Sequence, residues 1–121
     1  MFLRFVVHQK IDKAKFHVGL FAASSHLQEY GELSIYEWER LEELLKWFNT
    51  HLPLPNLHQE NVQAVYWYRA SATMHIAKMW EIAGILQTHG YDVEMVKTEF
   101  AGLIIYRDDF QIGAIPKIDR H

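Results

Sequence analysis

Val65-Tyr66-Trp67-Tyr68-Arg69, followed by residues 71–89, 91–98 and 103–116, is the stretch whose reading decides the fold. The first run is β-branched and aromatic, the composition of a pleated, partly buried strand. In the second, Ala72, Ile76, Met79, Ala83 and Leu86 recur at helical spacing, with Trp80 beside them and Ile82 and Ile85 widening the apolar surface. Ser71 stands where an N-cap belongs. At the other end His89 falls in the last turn, Gly90 suits a left-handed cap, and Tyr91 is placed to touch Leu86 as in a Schellman motif. Strand, helix and strand with short links predict a right-handed crossover, making residues 65–68 and 93–98 parallel neighbours or near neighbours in one sheet. Ala101-Gly102 then turns the chain into residues 103–106, and Asp108-Asp109 turns it back into residues 110–115, with Pro116 at a strand end or sheet edge.

Working back toward the start, Phe2, Leu3, Phe5, Val6 and Val7 form an apolar run broken only by Arg4, as expected of a central strand buried on nearly both faces. Lys10, Asp12, Lys13 and Lys15 lack a period, which places residues 10–17 in a loop or ragged hairpin. Residues 19–30 read as a short helix with Leu20, Ala23, Ser24 and Leu27 on one side and Gly31 just past its end. Ser34-Ile35-Tyr36-Glu37 is a capping box. From it runs a stripe of Trp38, Leu41, Leu44, Leu45 and Phe48, opposite an acidic face on which Glu42 can pair with Lys46. Leu52-Pro53-Leu54-Pro55 ends that helix, because proline lacks an amide and forces extended geometry on its predecessor. The elements add up to an α+β protein: a single domain over residues 1–121, with a mixed sheet of four to five strands packed with three helices.

Composition bounds the function. With 121 residues, 50% apolar and 14% aromatic, the chain can bury one core, and no shift in composition announces a second. A formal charge of −3 lacks the positive field of a nucleic-acid binder. Absence of cysteine excludes disulfides and thiolate ligands, and fits a reducing cytoplasm. No apolar run approaches the roughly 20 residues of a membrane span, and residues 1–8 lack the length and cleavage site of a secretion signal. A cytoplasmic protein without a membrane or nucleic-acid partner is expected.

The chemistry-bearing residues are few. Eight histidines include no HExxH and no paired i, i+4 arrangement, so spacing supplies no metal site; His51 and His58 could converge with Glu60, or be scattered surface histidines. Arg4, Arg69 and Arg107 lie in or beside apolar strands, where a charge is costly unless paired. They could clamp an anion, Arg69 with the start of the helix after Ser71, or tie the sheet's ends together through Asp108, Asp109 or Glu99. Asp108 and Asp109 at a turn, with Gln111 after them, could serve a cation or acid-base chemistry, or could brace their own turn. Trp67 with Tyr66 and Tyr68 offers a stacking surface or ordinary cross-strand packing. No motif names a cofactor.

Gly19-Leu20-Phe21, Trp47-Phe48-Asn49 with Leu52-Pro53-Leu54-Pro55, Trp67-Tyr68-Arg69 with Ala72, His89-Gly90, and Tyr106-Arg107-Asp108-Asp109-Phe110-Gln111 with Ala114 and Pro116 together resemble a group of short, uncharacterised bacterial proteins over most of the chain. The resemblance implies a shared fold and a bacterial cytoplasmic setting, and imports no activity. In that group the tryptophan strand continues with Asp-Ser, whereas this chain has Ala70-Ser71, so a role for that acid does not carry over. Two functions follow as expectations. The first is a non-catalytic binding or interaction module for a protein or a small anionic ligand. The second is a small enzyme on a phosphorylated or nucleotide ligand, by metal-dependent phosphodiester chemistry or by a reaction similar to ADP-ribosyl transfer, on fold analogy without a matching motif. Arg4, Arg69, Arg107, Asp108, Asp109 and Gln111 are the candidate ligand residues.

Overall fold

A computed structural model describes residues 1–8, 19–53 and 64–116. Its elements, in chain order, are β1 (Phe2–Val7), α1 (Leu20–Tyr30), α2 (Ile35–His51), β2 (Val65–Arg69), α3 (Thr73–Thr88), β3 (Val93–Thr98), β4 (Leu103–Arg107) and β5 (Gln111–Ile115). The loop expected over residues 10–17 and most of the proline connector lie outside the described residues.

The architecture is α+β, five strands and three helices, but the sheet is not mixed in its pairing. Strand order is β3-β1-β2-β5-β4, and every hydrogen-bonded neighbour is antiparallel. The crossover through α3 does leave β2 and β3 parallel to one another. They do not touch, because β1 lies between them and runs opposite to both. β1 is thus an interior strand, with Leu3, Phe5, Val6 and Val7 all buried.

Each helix starts and stops for a local reason. At α2 the Ser34 hydroxyl accepts from the Glu37 amide at 3.1 Å and the Glu37 carboxylate accepts from the Ser34 amide at 3.1 Å. At the end of α3, Gly90 has φ +87°; the Tyr91 amide donates to Leu86 O and the Gly90 amide to Gln87 O, the two bonds of a Schellman cap. Gly31 ends α1 in extended backbone, and a Cβ there would collide with Leu27, so close approach rather than left-handed geometry requires glycine.

Ser71 does not cap α3. The Ala72 amide is taken by Arg69 O and the Thr73 amide by Ser71 O, so a backbone turn does the capping and Ala72 is the N-cap without a side-chain bond. Leu41, Leu44 and Phe48 of α2 meet Leu20, Ala23 and Leu27 of α1 and Met79, Ile82, Ala83 and Leu86 of α3 in one core against Phe5, Val7 and Tyr68 of the sheet. Burying a side chain such as Ile82 or Leu86 completely stabilises by about 1.5–3 kcal/mol. Trp38 departs from its stripe: it is 45% exposed, beside Ile35 and Tyr36, which are more exposed still. The expected Glu42–Lys46 pair is replaced by Gln28, whose amide donates to Glu42 at 3.0 Å and ties α1 to α2. Arg40 forks onto Glu81 and also meets Glu43, linking α2 to α3. Among the described residues no helix is long and apolar enough to cross a membrane.

Candidate functional site

β1 pairs with β3 along its whole length, from Phe2↔Thr98 to Val7↔Val93. With β2 it pairs only at Phe2↔Arg69 and Leu3↔Tyr68. β2 is meanwhile held by β5 from Val65↔Ala114 to Tyr68↔Gln111. Beyond Leu3 the two strands therefore part, and the gap between them is a cavity of about 340 Å³. Strand alternation puts Arg4 and Trp67 on one face of the sheet and Phe5, Tyr66 and Tyr68 on the other, yet all five line this cavity. The lining thus draws on neighbouring residues of both strands where the β1–β2 pairing stops. Gly19, Leu20 and Phe21 at the start of α1 form another wall, and Gln111 of β5 a further one. A second cavity of about 670 Å³, lined by Leu45, Phe48 and Pro53 among others, shares Phe21, Leu52, Tyr66 and Gln111 with the first. The two adjoin.

The electrostatics of the cleft are one-sided. Ion pairs among the described residues use Met1, His8, Arg40 and His89 as cations, and never Arg4. The Arg4 guanidinium instead lies over the Trp67 ring, its central carbon 5.4 Å from the centroid. Burial lowers the Arg4 pKa from its ordinary value, the mark of a cation partly stripped of water. Trp67 Nε1–H is buried and has no acceptor among the described residues. At the N-terminus of α1, Gly19 supplies no capping side chain and the first turn carries no acid. Around these donors the phenols of Tyr66 and Tyr68 are both held above their ordinary pKa by burial, and so stay neutral.

The remaining candidate residues form a separate, internally satisfied unit. Asp108 accepts from the Tyr106 hydroxyl at 2.6 Å, from the amides of Phe110 and Gln111 at 2.8 and 3.0 Å, and from Gln111 Nε2 at 3.2 Å. Burial alone would raise its pKa; the four donors outweigh that and hold it below the ordinary carboxylate value. In return, that hydrogen bond pushes the Tyr106 hydroxyl up to about 12. Arg69 Nε donates to Asp108 O at 2.8 Å, a neutral acceptor, so Arg69 secures the hairpin to the end of β2. Gln111 Nε2 also donates to Pro53 O at 2.8 Å, tying the exit of α2 to the sheet. Arg107 and Asp109 are exposed. The structure thus unites Arg69, Asp108 and Gln111, leaves Arg107 and Asp109 outside, and places Arg4 in the cleft with only Gln111 of the set.

Sequence reasoning missed Phe21 and Leu52 as cavity walls and His75 as a core residue. His75 is 4% exposed, bonded through Nε2 to His51 O at 2.9 Å and packed on the Phe110 ring at 4.4 Å. The signal was present, since His75 falls on the α3 stripe three residues past Ala72 and four before Met79. Among the described residues no three His, Asp or Glu side chains converge to hold a metal ion. Compared with known family models, curated proteins and solved structures, the chain matches none.

Proposed function

We propose that the protein is a non-catalytic binding module for a small organic anion, held in the cleft between β1 and β2. The observation that carries this reading is Arg4, a partly desolvated cation lining a cavity and paired with no carboxylate of the described residues. A buried charge without a partner is costly, and a ligand that supplies the missing acceptor turns that cost into affinity. A mostly apolar cavity with a few convergent polar groups is also the usual form of a small-molecule site. The enzyme reading gains no comparable support: both oxygens of Asp108 are occupied by its own hairpin, and Asp109 and Arg107 face solvent.

Thermal shift and calorimetric titration with benzoate, phenyl phosphate and inorganic phosphate, each beside benzamide as a neutral control, test the proposal. Binding to the native state raises apparent stability by about 2.7 kcal/mol at a hundredfold excess over Kd. At least one anion should stabilise the protein, benzamide should not, and Arg4→Gln should abolish the response. A flat response to every anion, or an equal response in Arg4→Gln, overturns the reading.

A further inference from the structure

Resting on that reading, we infer that the ligand is a singly charged carboxylate with an apolar tail, its head at Arg4 and its tail running over Phe21 and Tyr66 into the larger cavity. Among the described residues lining either cavity, Arg4 is the one charged side chain. One guanidinium neutralises one negative charge and matches a carboxylate through two parallel hydrogen bonds. A doubly charged phosphate monoester would bring a second charge into a partly desolvated cleft, and no lysine or second arginine among the described lining residues meets it. The amides opening α1 add partial positive charge beside the head, because Gly19 leaves them without a capping side chain.

The tail follows from continuity. Phe21, Leu52 and Tyr66 belong to both cavities, so an apolar chain leaving Arg4 passes along them before reaching Leu45 and Phe48. That path is aromatic and aliphatic on its inner side. Ser25 and Asn49, both exposed, supply polar lining to the larger cavity. Gln111 could not serve as a second anion clamp, because its Nε2 is already donated to Pro53 O and Asp108.

Calorimetric titration with butanoate, hexanoate, octanoate and decanoate below their micellar concentrations tests the inference, with octyl phosphate and octanol as comparators. Affinity should rise about fourfold per added methylene until the cavities are filled. Octanoate should bind more tightly than either octyl phosphate or octanol. Ser25→Trp, which fills the larger cavity away from Arg4, should flatten the chain-length dependence while leaving butanoate unchanged; Asn49→Trp is the independent second blocker. Carboxylates that bind through Arg4 with no dependence on length or on either blocker overturn the tail and leave the anion site standing. Tighter binding of octyl phosphate overturns the single charge. If octyl phosphate binds and no carboxylate does, the inference fails and the anion site stands; if octanol equals octanoate, or no anion binds, both fail.

Discussion

Replacing Asp108 by alanine removes the acceptor of four hydrogen bonds at once, and the cost can be worked out donor by donor. The Gln111 amide is the most serious loss, because Gln111 is 5% exposed and water reaches it poorly; a stranded buried donor costs about 1–3 kcal/mol. The Phe110 amide is half-buried and recovers partial solvation, leaving a net loss of about 0.5–1.5 kcal/mol. The Tyr106 hydroxyl can turn to solvent, and Gln111 Nε2 keeps its bond to Pro53 O, so neither adds much. The sum is about 2–4 kcal/mol, a substantial part of the 5–15 kcal/mol typical of a folded protein. Urea denaturation at pH 7 should show the midpoint falling with an unchanged m-value. The pH dependence adds a second check. Because the folded pKa of Asp108 lies below its unfolded value of about 3.9, its stabilisation is fully present above that pH and is lost as pH falls through the folded value. The gap between wild type and Asp108→Ala should therefore narrow in acid. A gap below about 0.5 kcal/mol at pH 7, or one of equal size at pH 7 and pH 2, refutes the reasoning.

Four further outcomes are expected. Gly102→Ala should destabilise by more than Gly90→Ala in chemical denaturation: both have positive φ, costing about 1–2 kcal/mol for an L side chain, but only at Gly102 would a Cβ collide with backbone, at Ile115 O. Ser34→Ala should cost about 0.5–2 kcal/mol through the lost cap, while Glu37→Gln should erase a stabilisation that is present at neutral pH and disappears as pH falls below the ordinary carboxylate range. Glu37 is held below that range first by the Ser34 amide and then by His89. Ile82→Ala should cost about 2–5 kcal/mol by thermal unfolding, since the side chain is fully enclosed by the three helices and the sheet.

What could be read from residues alone was whatever depends on short separations. The capping box at Ser34, the Schellman cap at Gly90 and the turn at Asp108 are each written within six residues, and the backbone adopts all three. Ser71 shows the limit even there: a side-chain cap competes with a backbone turn, and the carbonyls of Arg69 and Ser71 won. Trp38 has helical spacing with Leu41 but sits beside an exposed first turn, because periodicity marks a helix face without saying how far a partner extends along it. The cleft was beyond reach. It depends on β1 and β2 pairing at two positions and then separating, and nothing in either strand's composition states where a register stops. Arg4 was visible as a charge in an apolar run. That it would lie over Trp67, rather than against a carboxylate, is a property of strands 65 positions apart in sequence meeting at Leu3↔Tyr68.

The partnership of β1 with β3 also sets a timetable for a newly made chain. Phe2 is matched to Thr98, and Val7 to Val93. At about 5–20 residues per second, some 5–20 seconds of synthesis separate Phe2 from its partner on β3. Throughout that interval Leu3, Phe5, Val6 and Val7 have no β3 to cover them, although α1 and α2 are already made. Closing so long a loop is among the slower steps open to a chain of this size. Phe5, which later lines the cleft, is among the residues left waiting, and β1, made before the other strands described, completes its pairing late.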